Sequence, residues 1–451
     1  MLEACFIRVE VKKRELISRT DLAIEMARKG IPVILGEAYS NDEFEKIGVN
    51  KGYFFGKCAQ PHTVNHFRPL LERGWVFGAL DEEGLLPVNL ERFARYRFSE
   101  ESAEVFDDVF FFGDAQKEIF EKIFGAHSSF IVSGNPRTDM WQSNCYNIHN
   151  SVANEIAESL GDFVLLPLNF SMYTNKERNA VLSDDHLKYK KDLAKNSEIL
   201  FDSFCKLSQR IVDEVGINVV MRPHPADDPS KIKELMSKHG IRSDRVKCIA
   251  KNEVFPWISA ARLVIHNCCT TSLEAGFLGT PVVTYAPSGT LLLQDDSDGL
   301  HQYMNKLFTI ALNENDILNI LKSDQELENE KFRSRISDWG RLNLDHSGQI
   351  SSFIAKRIVE RNNFTPKFDK LSLRRRFDFK RAKNEVISKI VSLKGQSQRR
   401  VMLQKFPRTS VNEIEMIIDN ICKHRGYVEK PKVYGINSSL FGIMPNDTKS
   451  F

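Results

Sequence analysis

The sequence has no Cys-x-x-Cys pair and no cluster of cysteine and histidine at zinc spacing. Its eight cysteines are scattered over 451 residues, which excludes a structural zinc module and a disulfide scaffold and predicts reduced thiols. Long apolar runs are also missing. The longest charge-free stretch, Ala275 to Gln294, is broken by Gly276, Gly279, Pro281, Pro287 and Gly289, so it reads as buried core and not as a membrane-spanning helix of about 20 residues. Arg8, Glu10 and Lys12 to Glu15 interrupt the N-terminal region, and no secretory signal peptide is expected. Internal repeats and low-complexity tracts are absent. With 42% hydrophobic and 27% charged residues, disorder as the dominant state is excluded. At roughly 150 residues per domain, two or three domains are expected.

Net charge is small, +3, but unevenly placed. Residues 361–451 carry 20 basic and 8 acidic side chains, a net of +12, which leaves −9 for residues 1–360. Within the tail, Arg374, Arg375, Arg376, Lys380, Arg381 and Lys383 mix with Phe368, Phe377 and Phe379. Residues 367–400 therefore suit an anionic membrane surface, or a solvated basic face of a helical appendage.

The rest of the chain alternates between strand-like and helical patterns. Cys5 to Val11, Ile31 to Leu35, Trp75 to Leu80, Val109 to Phe112 and Phe130 to Ser133 read as strands, with a helix over Asp21 to Lys29. The polar stretch Gln142 to Asn154 reads as a linker. Beyond it, Phe163 to Pro167, Asn218 to Met221, Val246 to Ile249, Leu263 to Ile265 and Pro281 to Tyr285 are strand candidates. Helical patterns at Lys191 to Glu214, Pro229 to His239 and Thr271 to Leu278 lie between them. The expected architecture is α/β: two doubly wound Rossmann-like domains, 1–145 and 155–360, facing a cleft, followed by a basic, mostly helical extension, 361–451. Open parallel sheets bind ligands beyond the carboxyl ends of their strands, so the residues just after each strand are the candidates for chemistry.

Asn218 to Pro225, NVVMRPHP, places Arg222 and His224 between two rigid prolines at a strand end. Arginine supplies a permanent charge and histidine a hydrogen bond or proton, a pairing that suits a phosphate. Further on, LVIHNCCTTSLEAGFLGTPVVTY reads as strand, loop, helix, turn and strand. Thr270, Thr271 and Ser272 open that helix, where unpaired N–H groups and the helix dipole favour an anion, and one of the hydroxyls is expected to serve simply as N-cap. Glu274 in the first turn is placed to accept hydrogen bonds from a ribose or to complement the dipole.

The succession of RPHP, the hydroxyl-bearing helix start, Glu-Ala and Leu-Gly-x-Pro-Val resembles the donor domain of GT-B glycosyltransferases that use cytidine nucleotides. These include bacterial sialyltransferases and capsule Kdo transferases and, more distantly, the CDP-glycerol transferases of teichoic acid synthesis. The fuller pattern, adding KKRELISRTDLAIEMARKGIPVILG, DEEG, SGNPRTD and LLPLNFS, is similar to the bacterial surface carbohydrate biosynthesis protein family over most of residues 10–290. That resemblance implies a carboxylate base at Glu82 or Glu83, in the Asp/Glu-Asp/Glu-Gly element after WVFGAL, and a phosphate site at His224-Pro225. Arg222, His224, Pro225, His266, Thr270, Thr271, Ser272 and Glu274, with Asn169 and Ser171 after DFVLLPL, form the expected donor site, and no metal or other cofactor is required. Arg137 and Asp139 of SGNPRTD are expected to be structural. The implied activity is inverting transfer of an acidic sugar from a CMP-sugar to a glycan or lipid-linked glycan acceptor. CDP-polyol transfer, sugar-nucleotide epimerisation and a non-catalytic scaffold stay open. Nucleic acid is not an expected partner. The expected location is cytoplasmic, peripheral on the inner membrane.

Overall fold

The computed structural model describes residues 1–37, 49–82, 90–141, 150–174, 187–224, 227–251, 253–288, 290, 307–323, 332–338, 340, 342–365, 406–436 and 439–446. They divide into two compact units. One comprises Met1–Ile148 together with Ser337–Phe451, the other His149–Ile336.

The first unit contains six parallel strands: β1 (Ala4–Arg8), β2 (Val33–Gly36), β3 (Gly52–Gly56), β4 (Val76–Leu80), β5 (Asp108–Phe111) and β6 (Phe130–Val132). These strands are nearly continuous apolar runs, as expected of a parallel sheet covered on both faces. Phe6, Phe54, Phe67, Phe77 and Phe106 pack together beneath the sheet, with ring centroids 4.9 Å apart for Phe54 and Phe67 and 5.0 Å for Phe67 and Phe77. Each such burial stabilises by about 1.5–3 kcal/mol.

The second unit repeats the plan with β7 (Phe163–Pro167), β8 (Asn218–Arg222), β9 (Val246–Cys248), β10 (Leu263–His266), β11 (Val282–Tyr285) and β12 (Thr309–Ala311). All are parallel, in the order β12-β11-β10-β7-β8-β9. Its core joins Val164, Leu166, Met221 and Ile265 of the sheet to Phe201, Phe204 and Ile211 of the helix Leu187–Val215. The α/β expectation of two doubly wound domains is met in both units.

The expected second domain ran to residue 360, whereas the compact second unit closes at Ile336. Residues from Ser337 onward pack with the first unit, including the helices Ile350–Arg361 and Val411–His424. The described part of the tail also contains a hairpin, β13 (Lys432–Gly435) and β14 (Leu440–Met444), whose second strand pairs antiparallel with β2. The first sheet thus has eight strands, in the order β13-β14-β2-β1-β3-β4-β5-β6. Gly36 permits this. Its φ is +141°, and a Cβ there would lie 1.9 Å from the Ser439 carbonyl oxygen. The basic stretch 367–400 lies outside the described residues.

The helix Lys12–Arg28 begins nine residues before the expected Asp21 because its first half is charged yet buried. Glu15, Arg19, Asp21 and Glu25 are all shielded from solvent. Each has a partner: Arg14 at 2.7 Å, Glu82 at 2.7 Å, Arg425 at 2.6 Å and the Tyr427 hydroxyl at 2.6 Å, respectively. The last two partners come from the tail. No described helix is long and apolar enough to cross a membrane.

Candidate active site

In the second sheet the chain runs from β7 outward through β8 and β9 on one side, and through β10, β11 and β12 on the other. The crevice at such a reversal is where doubly wound folds bind ligands. The loops after β7 and β10 meet there: the Asn169 side-chain amide donates to the Cys268 carbonyl at 3.2 Å. Cys268 has φ +47°, the only positive φ of a non-glycine residue among those described. This backbone costs about 1–3 kcal/mol in strain, a cost concentrated at functional loops. Asn169 and Thr270 are exposed and Thr271 is half-buried. Ser171 is buried, and its hydroxyl has no hydrogen-bond partner among the described residues.

Arg222 ends β8, beside β7. Its Nη1 donates to the Lys251 carbonyl at 3.0 Å and its guanidinium lies 5.8 Å from the Trp257 ring centroid. Burial lowers its pKa to about 10, against the opposing pull of Glu253 and Glu274, so it remains a cation at neutral pH. His224 follows, half-buried, with its carbonyl accepting from the Asp227 amide at 2.8 Å. Asp228 caps the next helix by accepting from Ser230 N–H at 2.9 Å.

His266 takes a different place from the one expected. It is fully buried under the loop, where its Nδ1 accepts from the Cys269 amide at 3.4 Å and its Nε2 meets Thr284 Oγ1 at 3.0 Å. Burial depresses its pKa to about 3, so the ring is neutral and shapes the loop from below. Ser272 is likewise buried, donating to the Cys269 carbonyl at 2.7 Å. Glu274 is buried in the first turn of the helix Thr271–Leu278. Thr270 occupies the N-cap without a capping side-chain bond. Pro225 and Glu83 lie outside the described residues.

In the first sheet the reversal lies between β1 and β3. Beyond their carboxyl ends Glu10 and Lys57 form an ion pair across it. Alongside, past β2, Glu37 lies 3.4 Å from Arg8 through Oε1, and its amide donates to the Ser439 carbonyl at 3.0 Å. Its other carboxylate oxygen is buried with no hydrogen-bond partner among the described residues. Burial, opposed by Arg8 and reinforced by Glu10 and Glu15, raises the Glu37 pKa to about 7.

Glu82 follows β4, where the sequence placed a site residue, but it is sealed in. Oε1 accepts from Arg19 at 2.7 Å; Oε2 accepts from Asn135 at 3.2 Å and Arg137 at 3.5 Å. Burial raises its pKa, and the three arginines Arg19, Arg137 and Arg14 together with Asn135 outweigh it, so the net shift is downward. Arg137 donates to Glu82, and Asp139 accepts the amides of Gly348 and Ile350 at 2.7 and 3.0 Å. Arg19, Asn135 and Glu37 were not singled out from the sequence. Nothing local marks Arg19 as the partner of a carboxylate 63 residues away. Among the described residues there is no group of three or more His, Cys, Asp or Glu that could hold a metal ion.

No protein-family model matches the sequence, and no curated protein matches it significantly. Solved structures do share its fold. UDP-GlcNAc 2-epimerase from Methanocaldococcus jannaschii superimposes with a TM-score of 0.50 at 13% identity, over 80% of this chain and 100% of the epimerase. The wall teichoic acid polymerase TagF, soaked with CDPG, gives a TM-score of 0.50 at 12% identity over 79% of this chain and 88% of its own. The chain thus has the two-domain, GT-B-like α/β fold of these proteins.

Proposed function

We propose that the chain is a GT-B-type transferase of surface-glycan assembly. It moves an acidic sugar of Kdo or nonulosonate type from its CMP derivative to a glycan or lipid-linked glycan, with inversion. The observation that carries this reading is the meeting of Asn169 with the Cys268–Thr271 loop at the reversal point of the second sheet, with Arg222 ending the adjoining strand β8 and His224 two residues beyond it. As the donor breaks down, negative charge grows on the departing phosphate. A desolvated guanidinium, an imidazole and the amino end of an eight-residue helix are suited to stabilise that charge without rearrangement. A second reading, transfer from a CDP-polyol, draws support from the like-folded polymerase soaked with CDPG.

The test is a thermal-shift screen of the full chain with CMP, CDP, UDP and GDP, repeated on His224→Ala. A ligand at about 100 times its Kd adds ~2.7 kcal/mol to the native state. Stabilisation by CMP or CDP, lost in the variant, is the expected result. A response to UDP alone would shift the assignment to epimerisation, and silence with all four would favour a scaffold.

A further inference from the structure

In the second unit, the loop after β7 is bonded to both of the elements that flank it. Leu168 N–H donates to the carbonyl of Arg222 at the end of β8, at 2.9 Å, and the Asn169 side-chain amide donates to the Cys268 carbonyl after β10, at 3.2 Å. The loop ties the two together. It continues into a single helical turn, Ser171–Thr174, in which Tyr173 N–H and Thr174 N–H donate to the Phe170 carbonyl at 2.9 and 3.0 Å. One isolated turn has no stability of its own, so the segment needs an anchor from outside.

That anchor is a chain of side chains on two longer helices. The Tyr173 hydroxyl meets His239 Nε2 at 2.9 Å, His239 Nδ1 meets Asp202 Oδ1 at 3.0 Å, and Asp202 Oδ2 pairs with Lys206 at 2.7 Å. Asp202 and Lys206 belong to the helix Leu187–Val215, and His239 closes the helix Pro229–Lys238. Against burial, hydrogen bonds from Lys206 and His239 lower the Asp202 pKa, so at neutral pH it is a carboxylate and can only accept. Nδ1 therefore carries a proton, and in the neutral ring Nε2 is the acceptor for the Tyr173 hydroxyl. Phe201 packs against both rings, with centroids 5.7 Å from Tyr173 and 5.3 Å from His239.

We propose that Tyr173, held by His239 and Asp202, is a positioning residue for the nucleotide site of the second unit. It fixes the segment that carries Asn169 and Ser171, and through Leu168 and Asn169 the bonds to the Arg222 and Cys268 carbonyls. The inference rests on the nucleotide-donor reading above. With the anchor in place the loop is ordered before the ligand arrives. Without it, binding must also order the loop, and affinity falls by that cost.

The experiment compares full-length wild type with Tyr173→Phe, which removes one hydroxyl and keeps the ring, with His239→Ala, and with His239→Gln, whose side-chain oxygen can still accept from Tyr173. Hydrogen–deuterium exchange is read first, without ligand. Peptides covering residues 168–174 should exchange roughly 2–10-fold faster in Tyr173→Phe and His239→Ala, the factor set by one net hydrogen bond, and near the wild-type rate in His239→Gln. Strands β8 and β10 should keep wild-type protection in all three. Unchanged exchange of 168–174 in Tyr173→Phe overturns the proposal whatever the ligand, and so does loss of protection throughout the second unit, which would make the contact part of the general fold. Isothermal titration with CMP and CDP then measures affinity: Kd should weaken roughly 2–10-fold in Tyr173→Phe and His239→Ala and return toward wild type in His239→Gln. Wild-type affinity in Tyr173→Phe would overturn the positioning role alone. Absence of binding by either nucleotide to the wild type would instead overturn the donor reading, and the positioning role with it.

Discussion

Replacing Glu82 by Gln separates a structural carboxylate from a chemical one. Glu82 and Arg19 have side chains 2% and 1% exposed and meet at 2.7 Å, so the substitution leaves a guanidinium buried without its counter-charge. Breaking a buried pair from one side costs about 3–5 kcal/mol. For a unit of this size that lowers Tm by roughly 6–20 °C, at ~2–4 °C per kcal/mol. Trp141 provides a local reporter, since it is 1% exposed and the Arg137 guanidinium lies 5.4 Å from its ring centroid. The assay is urea and thermal unfolding followed by tryptophan emission, with far-UV circular dichroism as a second probe. The pH dependence has a fixed sign. A carboxyl whose folded pKa is lowered stabilises the protein above its unfolded value of about 4.3, and that contribution disappears as pH falls through the folded value. The gap between wild type and Glu82→Gln should therefore be full at neutral pH and close in acid. A variant that unfolds at the wild-type midpoint while losing all turnover would refute this account and return Glu82 to the role of base.

Gly36→Ala should cost about 3 kcal/mol or more, because a side chain at φ +141° is strained and its Cβ would collide with Ser439; limited proteolysis should then cut the tail first. Arg425→Lys exchanges a two-pronged contact with Asp21, at 2.6 and 2.8 Å, for a single one, and a loss of about 1–3 kcal/mol in unfolding free energy is expected. His266, with its folded pKa lowered to about 3, stabilises the fold above about pH 6.5 and progressively less as pH falls toward 3; His266→Gln should flatten the acid limb of the stability curve by about 2 kcal/mol near pH 5.

The parts of the fold that were legible are those whose apolar residues are continuous. LVIH and VVTY of the second sheet declare themselves as buried parallel strands, and NVVMR does so up to the arginine that ends it. The start of the first long helix was not legible, because KKRELISRTD buries charges through partners remote in sequence and so shows no apolar stripe. Strand β3, GYFFG, is only five residues long and ends in glycine on both sides. The tail strands contribute to a sheet whose other members are hundreds of residues away, a pairing no local pattern records. The positions of Asn169, Arg222 and the loop after β10 could be placed because they follow strand ends in sequence. The roles of Glu82 and His266 could not, since what decides them is burial and the identity of neighbours: Arg19 and Asn135 for one, Thr284 and the Cys269 amide for the other.

The hairpin also imposes an order on how the chain is made. Asp21 must await Arg425, 404 residues later, and β2 must await β14. At ribosomal speeds of about 5–20 residues per second that is roughly 20–80 s during which VILG remains an open, apolar strand edge. The second unit, continuous in sequence, emerges whole and can fold within that interval, ahead of the first. The amino-terminal unit is thus the last to close, and a nascent chain stalled anywhere before residue 440 would present a sticky sheet edge to chaperones and to its own copies.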